Sequence, residues 1–262
     1  MTSRQEFGYE LKSYHLDGVG EIEYAQWLNP FPYSMVISKN AVEFFKQFVH
    51  EGDFVIDVGA NIGDTGLPLG LAAGPTGGVL ALEPNPILFK ILSVNAGLNK
   101  DKLNIYPIPY AATEQDGTFF YNSSEATFNN GGISATRSKF HGSYELEEKI
   151  EGVNLENLLR TKYADRLKDL TCIKVDTEGL DVQILGTLVG IIEEFKPTVI
   201  FEVFKLLKKE ERYKLHDLFA DRGYELFQFD DFDISKPIKK ISREDMTNWR
   251  HFEVYAKYSE QN

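Results

Sequence analysis

Five short runs constrain this chain more than any other feature: FVIDVG (54–59), VLALEP (79–84), LNIYPI (103–108), TCIKVD (171–176) and TVIFEV (198–203). Each has strand length and is apolar without alternation, which suits strands covered on both faces, as in a parallel sheet. Segments of helical character lie between them, at about 64–73, 86–99, 180–194 and 207–222. Strand alternating with helix makes βαβ units, and right-handed crossovers then build an α/β doubly wound, mostly parallel sheet. YELFQF (224–229) and HFEVYAKY (251–258) add two closing strands, one of which could run antiparallel. A helix over 41–50, with Val42, Phe45 and Val49 on one face, leads into the first strand.

Residues 1–40 lack helical period, and Asp17-Gly18 followed by Gly20 predicts a hairpin, so this stretch reads as an N-terminal β extension lying as a flap over the main domain. Residues 41–262 form that domain. An insertion at about 113–153 breaks the rhythm with Asp116-Gly117, Asn129-Asn130-Gly131-Gly132 and a charged run; a loop of this length in a compact domain is usually functional or mobile, and it is assigned to substrate contact as a lid.

Composition narrows the partners. With 42% hydrophobic residues over 262 positions, the chain can bury one substantial core. The 40 acidic against 28 basic residues give a formal charge of −12, which opposes a broad nucleic-acid footprint, so no nucleic-acid partner is expected. A single cysteine, Cys172, excludes an intramolecular disulfide and thiolate zinc patterns, and points to a reducing compartment. No stretch approaches the roughly 20 apolar residues of a membrane span, and the first residues lack a signal-peptide run; the expectation is a cytoplasmic protein.

Chemistry concentrates at strand ends. The first strand closes in Asp57-Val58-Gly59-Ala60-Asn61-Ile62-Gly63-Asp64-Thr65, where the glycines allow a sharp turn and close approach of a ligand. The spacing departs from G-x-G-x-x-G, because Ala60-Asn61 replace the second glycine and leave less room for a pyrophosphate. Asp57 would oppose a pyrophosphate but could attract an ammonium or sulfonium group, favouring S-adenosylmethionine over NAD. Glu83 ends the second strand, where a carboxylate can accept both ribose hydroxyls. The alternative for this loop is an ordinary turn with a helix cap.

After the fourth strand come Asp176-Thr177-Glu178-Gly179. Strand carboxyl ends border the crevice of an open α/β sheet, so Asp176 and Glu178 should face the same cleft as the Gly59 loop. They could steady a sulfonium, take a proton from a substrate hydroxyl, or, with Glu202, hold a divalent metal. The alternative for Glu178 is a helix N-terminal carboxylate meeting the dipole. Glu202 could reach the cleft or make a structural ion pair, His141 could be a base or a solvated loop residue, and Cys172 reads as a small buried side chain.

DVGANIGDTG, ALEPNP, IKVDTEGLDVQILGTL and KPTVIFEVF occur in an order and spacing that resemble the FkbM family of methyltransferases, over about residues 54–203. The resemblance implies an S-adenosylmethionine pocket from Asp57, Gly59, Ala60, Asn61, Gly63, Thr65, Glu83, Pro84 and Asp176, with Tyr110, Ala111 and Ala112 near the adenine. It carries over Asp176 and Glu178 as the catalytic edge and suggests a sugar, glycan or natural-product hydroxyl as acceptor; Glu178, two residues beyond the strand end at the mouth of the cleft, is assigned the acceptor side. Rival readings are a methyltransferase acting on RNA, a nicotinamide-dependent oxidoreductase, and a non-catalytic binding protein. Pro68, with Gly66 and Gly70, makes the first crossover a poor helix former.

Overall fold

The computed structural model describes residues 6–30, 37–137 and 141–260. In chain order its elements are β1 (Tyr9–Leu16), β2 (Gly20–Trp27), α1 (Lys39–Phe45), β3 (Phe54–Val58), α2 (Gly66–Ala73), β4 (Gly78–Leu82), α3 (Pro86–Gly97), β5 (Ile105–Ile108), β6 (Ala111–Thr113), β7 (Gly117–Ser123), β8 (Gly132–Ser134), β9 (Tyr144–Glu145), β10 (Ile150–Asn154), α4 (Leu155–Lys162), β11 (Leu170–Val175), α5 (Asp181–Thr187), α6 (Val189–Phe195), β12 (Thr198–Val203), α7 (Lys209–Ala220), β13 (Tyr224–Phe229), β14 (Lys239–Ile241) and β15 (Phe252–Tyr258).

The five apolar runs form the parallel centre of an eight-stranded sheet ordered β14-β13-β15-β12-β11-β3-β4-β5. Strand β15 runs antiparallel between β12 and β13, which closes the sheet. Helices α1–α3 cover one face through Phe44, Leu69 and Leu92, and α4–α7 cover the other through Leu159, Ile192 and Phe219. This is the Rossmann-like doubly wound architecture. The chain order reverses between β3 and β11, and a crevice at such a switch point is where open α/β sheets bind ligands.

Local chemistry explains where the elements depart from expectation. Strand β5 starts at Ile105 and holds Pro107, tolerable because it is an edge strand where a missing N–H costs no ladder bond. The helix expected over 180–194 is two, broken at Leu188, whose side chain is fully buried while Gly186-Thr187 weakens the helix ahead of it. Helix α4 lies after the insertion, where no helix was expected; its Asn154 caps the Asn157 N–H, and Leu155, Leu158 and Leu159 are buried. Helix α2 forms despite Gly66, Pro68 and Gly70, since Pro68 falls in the first turn, where an N–H has no partner inside the helix. The helix is buried throughout, and a Cβ on Gly70 would come within 3.3 Å of Leu103.

In the 113–153 stretch, expected as a loop, the described residues form a small sheet. Strands β6, β10, β7 and β8 pair side by side, and β9 adds to β7. Its Tyr121, Ile133, Leu146 and Ile150 are buried in the core of the α1–α3 face. This apolar content, spread over short strands, is what the polar turns concealed. Strands β1 and β2 form an antiparallel hairpin. Asn95 of α3 clamps it: its Oδ1 accepts the Ala25 N–H at 2.7 Å, and its Nδ2 donates to the carbonyls of Ala25 and Ile62.

Candidate functional site

The strands β3, β4, β11 and β12 end around one cavity of about 890 Å³. Because side chains alternate along a strand, Asp57, Lys174 and Glu202 share the α1–α3 face with Val55, Cys172 and Ile200, and so interrupt an apolar surface with a row of charge.

Asp57 and Lys174 stand directly opposite on β3 and β11. Lys174 Nζ lies 3.4 Å from Asp57 Oδ1 and 3.4 Å from Asp176 Oδ2, with its side chain only 3% exposed. Burial by itself lowers its pKa, but the Asp176 and Asp57 carboxylates outweigh burial and hold it well above the ordinary lysine value. Thr65 Oγ1 donates to the other Asp57 oxygen at 2.8 Å. Asp57 therefore lies beneath the cavity rather than lining it, where it anchors Lys174 and the start of α2. Lys174 lines the cavity, as does Asp64. Neither was anticipated from sequence; the available signal was a lysine inside an apolar strand run, two residues before Asp176.

The turn after β3 runs through three left-handed residues, Gly59 at φ +77°, Asn61 at +49° and Gly63 at +94°. The N–H groups of Gly59 and Ala60 both donate to Leu82 O, lashing the turn to β4. A Cβ on Gly59 would sit 1.9 Å from the Asp176 carbonyl oxygen, so the β3 and β11 loops meet backbone to backbone. Gly59, Asn61 and Thr65 line the cavity. Ala60 and Gly63, expected there too, do not: Ala60 is fully buried, and Gly63 packs on α3, where a Cβ would approach Leu92 to 3.2 Å.

Glu83 lines the cavity beside Pro84. Its Oε2 accepts the Asn61 N–H at 2.9 Å and its Oε1 the Asn85 N–H at 2.8 Å. Burial pushes its carboxyl up to about 8 against those two bonds. Each oxygen keeps a further lone pair for a ligand hydroxyl. Asn85 goes on to cap α3 at the Ile87 N–H and to donate to Phe128 O, tying the inserted sheet to the end of β4. Tyr110, Ala111 and Ala112 line the same side, and the inserted sheet contributes Tyr121 and Ile133.

Asp176 and Glu178 line the opposite side. Glu178 has φ +55° and precedes Gly179 at +108°. A non-glycine residue held there costs on the order of 1–3 kcal/mol, and such strain clusters at functional sites. Burial, then the Asp176 charge, push the Glu178 carboxyl up to about 7. The helix N-terminal role belongs to a different residue. Asp181 is the first residue of α5, and its Oδ2 accepts the Gly179 N–H at 3.2 Å. Burial, then Asp176, push Asp181 up to about 7 as well.

Glu202 does both things allowed to it: it lines the cavity, and its Oε1 pairs with His251 Nε2 at 2.7 Å. Among the described residues the side chains spaced to ligate a metal are Glu202, His251 and Glu253, so Asp176 and Glu178 do not join Glu202 in such a group. His141 is not on the cavity wall; its ring packs against Gly132, and burial lowers its pKa. Cys172 is fully buried, and burial pushes its thiol up.

No helix among the described residues is long and apolar enough to cross a membrane. A methyltransferase called sdnD from Sordaria araneosa is 24% identical over 197 residues, which cover 66% of this chain and 74% of that protein. The crystal structure of an FkbM methyltransferase from Methylobacillus flagellatus KT is similar at a TM-score of 0.49 and 14% identity, covering 82% of this chain and only 50% of that one. A SAM-dependent O-methyltransferase from Thermotoga maritima is similar at a TM-score of 0.43 and 12% identity, covering 97% and 79%. The family profile described as the methyltransferase FkbM domain matches residues 57–226, from the aspartate beneath the cavity to the closing strand β13, and the chain belongs to the FkbM family of methyltransferases.

Proposed function

We propose that this chain is an S-adenosylmethionine-dependent O-methyltransferase acting on a hydroxyl of a sugar, glycan or natural product. The observation that carries the reading is the placing of two carboxylates in the wall of one cavity. Glu83 offers free lone pairs at the end of β4, and Glu178 lines the same cavity beyond the end of β11. Pockets for small ligands run to roughly 300–1,000 Å³, and about 890 Å³ leaves room for a nucleoside donor and an acceptor together.

The residues fit the donor. Glu83 accepts ribose hydroxyls, the Gly59 turn lets a ligand approach the backbone closely, and Asp64 and Asp176 favour a cationic centre. When bound, S-adenosylmethionine supplies an electrophilic methyl group on a sulfonium that leaves readily. The protein orients the acceptor hydroxyl in line with that methyl and removes its proton, which is a task of positioning and general base catalysis. Glu178 is the base in this reading, with a pKa near the working pH, where such catalysis is most effective.

Calorimetry should show saturable binding of S-adenosylhomocysteine and none of NAD. NAD binding without any response to S-adenosylhomocysteine would overturn the donor assignment. With labelled donor and a panel of sugars, glycans and polyols, Glu178→Gln should lower turnover by roughly 10²–10⁴-fold while leaving S-adenosylhomocysteine affinity nearly intact. Glu178 carries a proton below about pH 7 and is an available base above it, so wild-type turnover should rise as pH increases through about 7. The variant should lose that step. Full turnover in Glu178→Gln would remove the base from this position.

A further inference from the structure

We propose that Glu202, His251 and Glu253 form a binding site for a divalent first-row transition cation in the wall of the cavity. Each offers one ligand atom, and the three lie within 4.8 Å of one another. Metal bonds to imidazole nitrogen and carboxylate oxygen are about 2.0–2.2 Å long, which sets neighbouring ligand atoms about 3.0–3.4 Å apart. The contact between His251 Nε2 and Glu202 Oε1, now 2.7 Å, needs to open by only a few tenths of an ångström to admit an ion.

Three features point to cation binding beyond the presence of carboxylates. Glu202 is 4% exposed, and its Oε2 is buried without any hydrogen-bond partner. A buried carboxylate oxygen in that state is costly unless something positive meets it. Glu202 and Glu253 also stand directly opposite on antiparallel β12 and β15, where both can be ionised together only at a cost to the sheet. The buried cation nearby, Lys174, acts on Glu253 from beyond ion-pair distance and makes its ion pairs with Asp57 and Asp176. A divalent ion between the two glutamates satisfies all of these groups at once.

The third ligand is delivered by a fixed loop. Arg212 is 6% exposed, and its guanidinium donates to the carbonyls of Met246, Trp249 and Arg250, holding the segment just before His251. His251 itself is half-exposed, leaving a route in from solvent, whereas Glu202 and Glu253 line the cavity. An imidazole with two carboxylates suits Mn²⁺ or Zn²⁺ better than Mg²⁺ or Ca²⁺, which prefer all-oxygen shells. Three protein ligands leave coordination positions for water or for an oxygen of a bound acceptor. The site stands on geometry independent of the methyl-transfer reading.

The test uses the full chain, free of any histidine tag and stripped of metal. Titration with Mn²⁺, followed by loss of the free-ion paramagnetic resonance signal, should give one saturable site, and pulsed measurements on the bound ion should detect a coordinated imidazole nitrogen. Zn²⁺ should compete for it, and Mg²⁺ only weakly. His251→Ala, a change at a half-exposed position, should weaken binding by at least the roughly 10–100-fold that loss of even an outer-shell partner produces. Glu253→Gln should do the same. Absence of saturable binding, or equal affinity in wild type and in a folded His251→Ala, would overturn the site.

Discussion

Replacing Gly59 with alanine is expected to remove folded, ligand-competent protein almost entirely. The new Cβ would lie 1.9 Å from the Asp176 carbonyl oxygen, and the residue would have to hold φ +77°. The neighbour is backbone rather than a flexible side chain, so β3 and β11 must separate at their ends or the turn must change its course. Either route also breaks the bonds from the Gly59 and Ala60 N–H groups to Leu82 O. A loss of about 4 kcal/mol or more follows, in the exceptional range for a single substitution. Denaturant titration checks the stability, and S-adenosylhomocysteine calorimetry checks the site. Gly97→Ala is the control: nothing lies within 4 Å of its Cβ position, and it ends helix α3. It should gain about 0.4–1 kcal/mol. A Gly59→Ala protein as stable as wild type would mean that the two loops do not meet as described.

Lys174→Met should be nearly as damaging for an electrostatic reason. The substitution keeps most of the unbranched apolar stem and removes the charge that faces Asp57, which is fully buried, and Asp176. Breaking a buried pair by deleting one partner typically costs about 3–5 kcal/mol, because the other charge is left uncompensated. The double variant Asp57→Asn/Lys174→Met should recover most of that stability, since the orphaned carboxylate goes with its partner. Binding at the cavity should stay impaired, because Lys174 also steadies Asp176. Denaturant midpoints of the two single variants and the double variant complete the cycle. Additive losses would show that the two residues do not act as a pair.

Both expectations concern the switch point between β3 and β11, and the chain announced that place unevenly. The five apolar runs and the helices between them were readable because continuous burial on both faces of a parallel strand leaves an unbroken apolar record in the sequence. Gly59, Asn61, Glu83, Asp176 and Glu178 were readable for a related reason: strand carboxyl ends define the crevice, so residues there can be named once the strands are. Asp57, Ala60 and Gly63 belong to the same motif yet do not line the cavity. Motif membership fixes chain position, whereas the facing of a side chain depends on which helix packs over it.

What the sequence determined by itself is the order of the five parallel strands and of most helices between them, since periodicity and turn chemistry act between residues a few positions apart. Only the tertiary structure decided what happens between residues far apart in the chain. It set Lys174 against Asp57, gathered His251 and Glu253 beside Glu202, and folded the polar-looking 113–153 stretch into a sheet whose short strands share one core. A charge or an alternating run carries no local mark of its partner, because burial and Coulomb energy depend on distances that exist only after the sheet has formed.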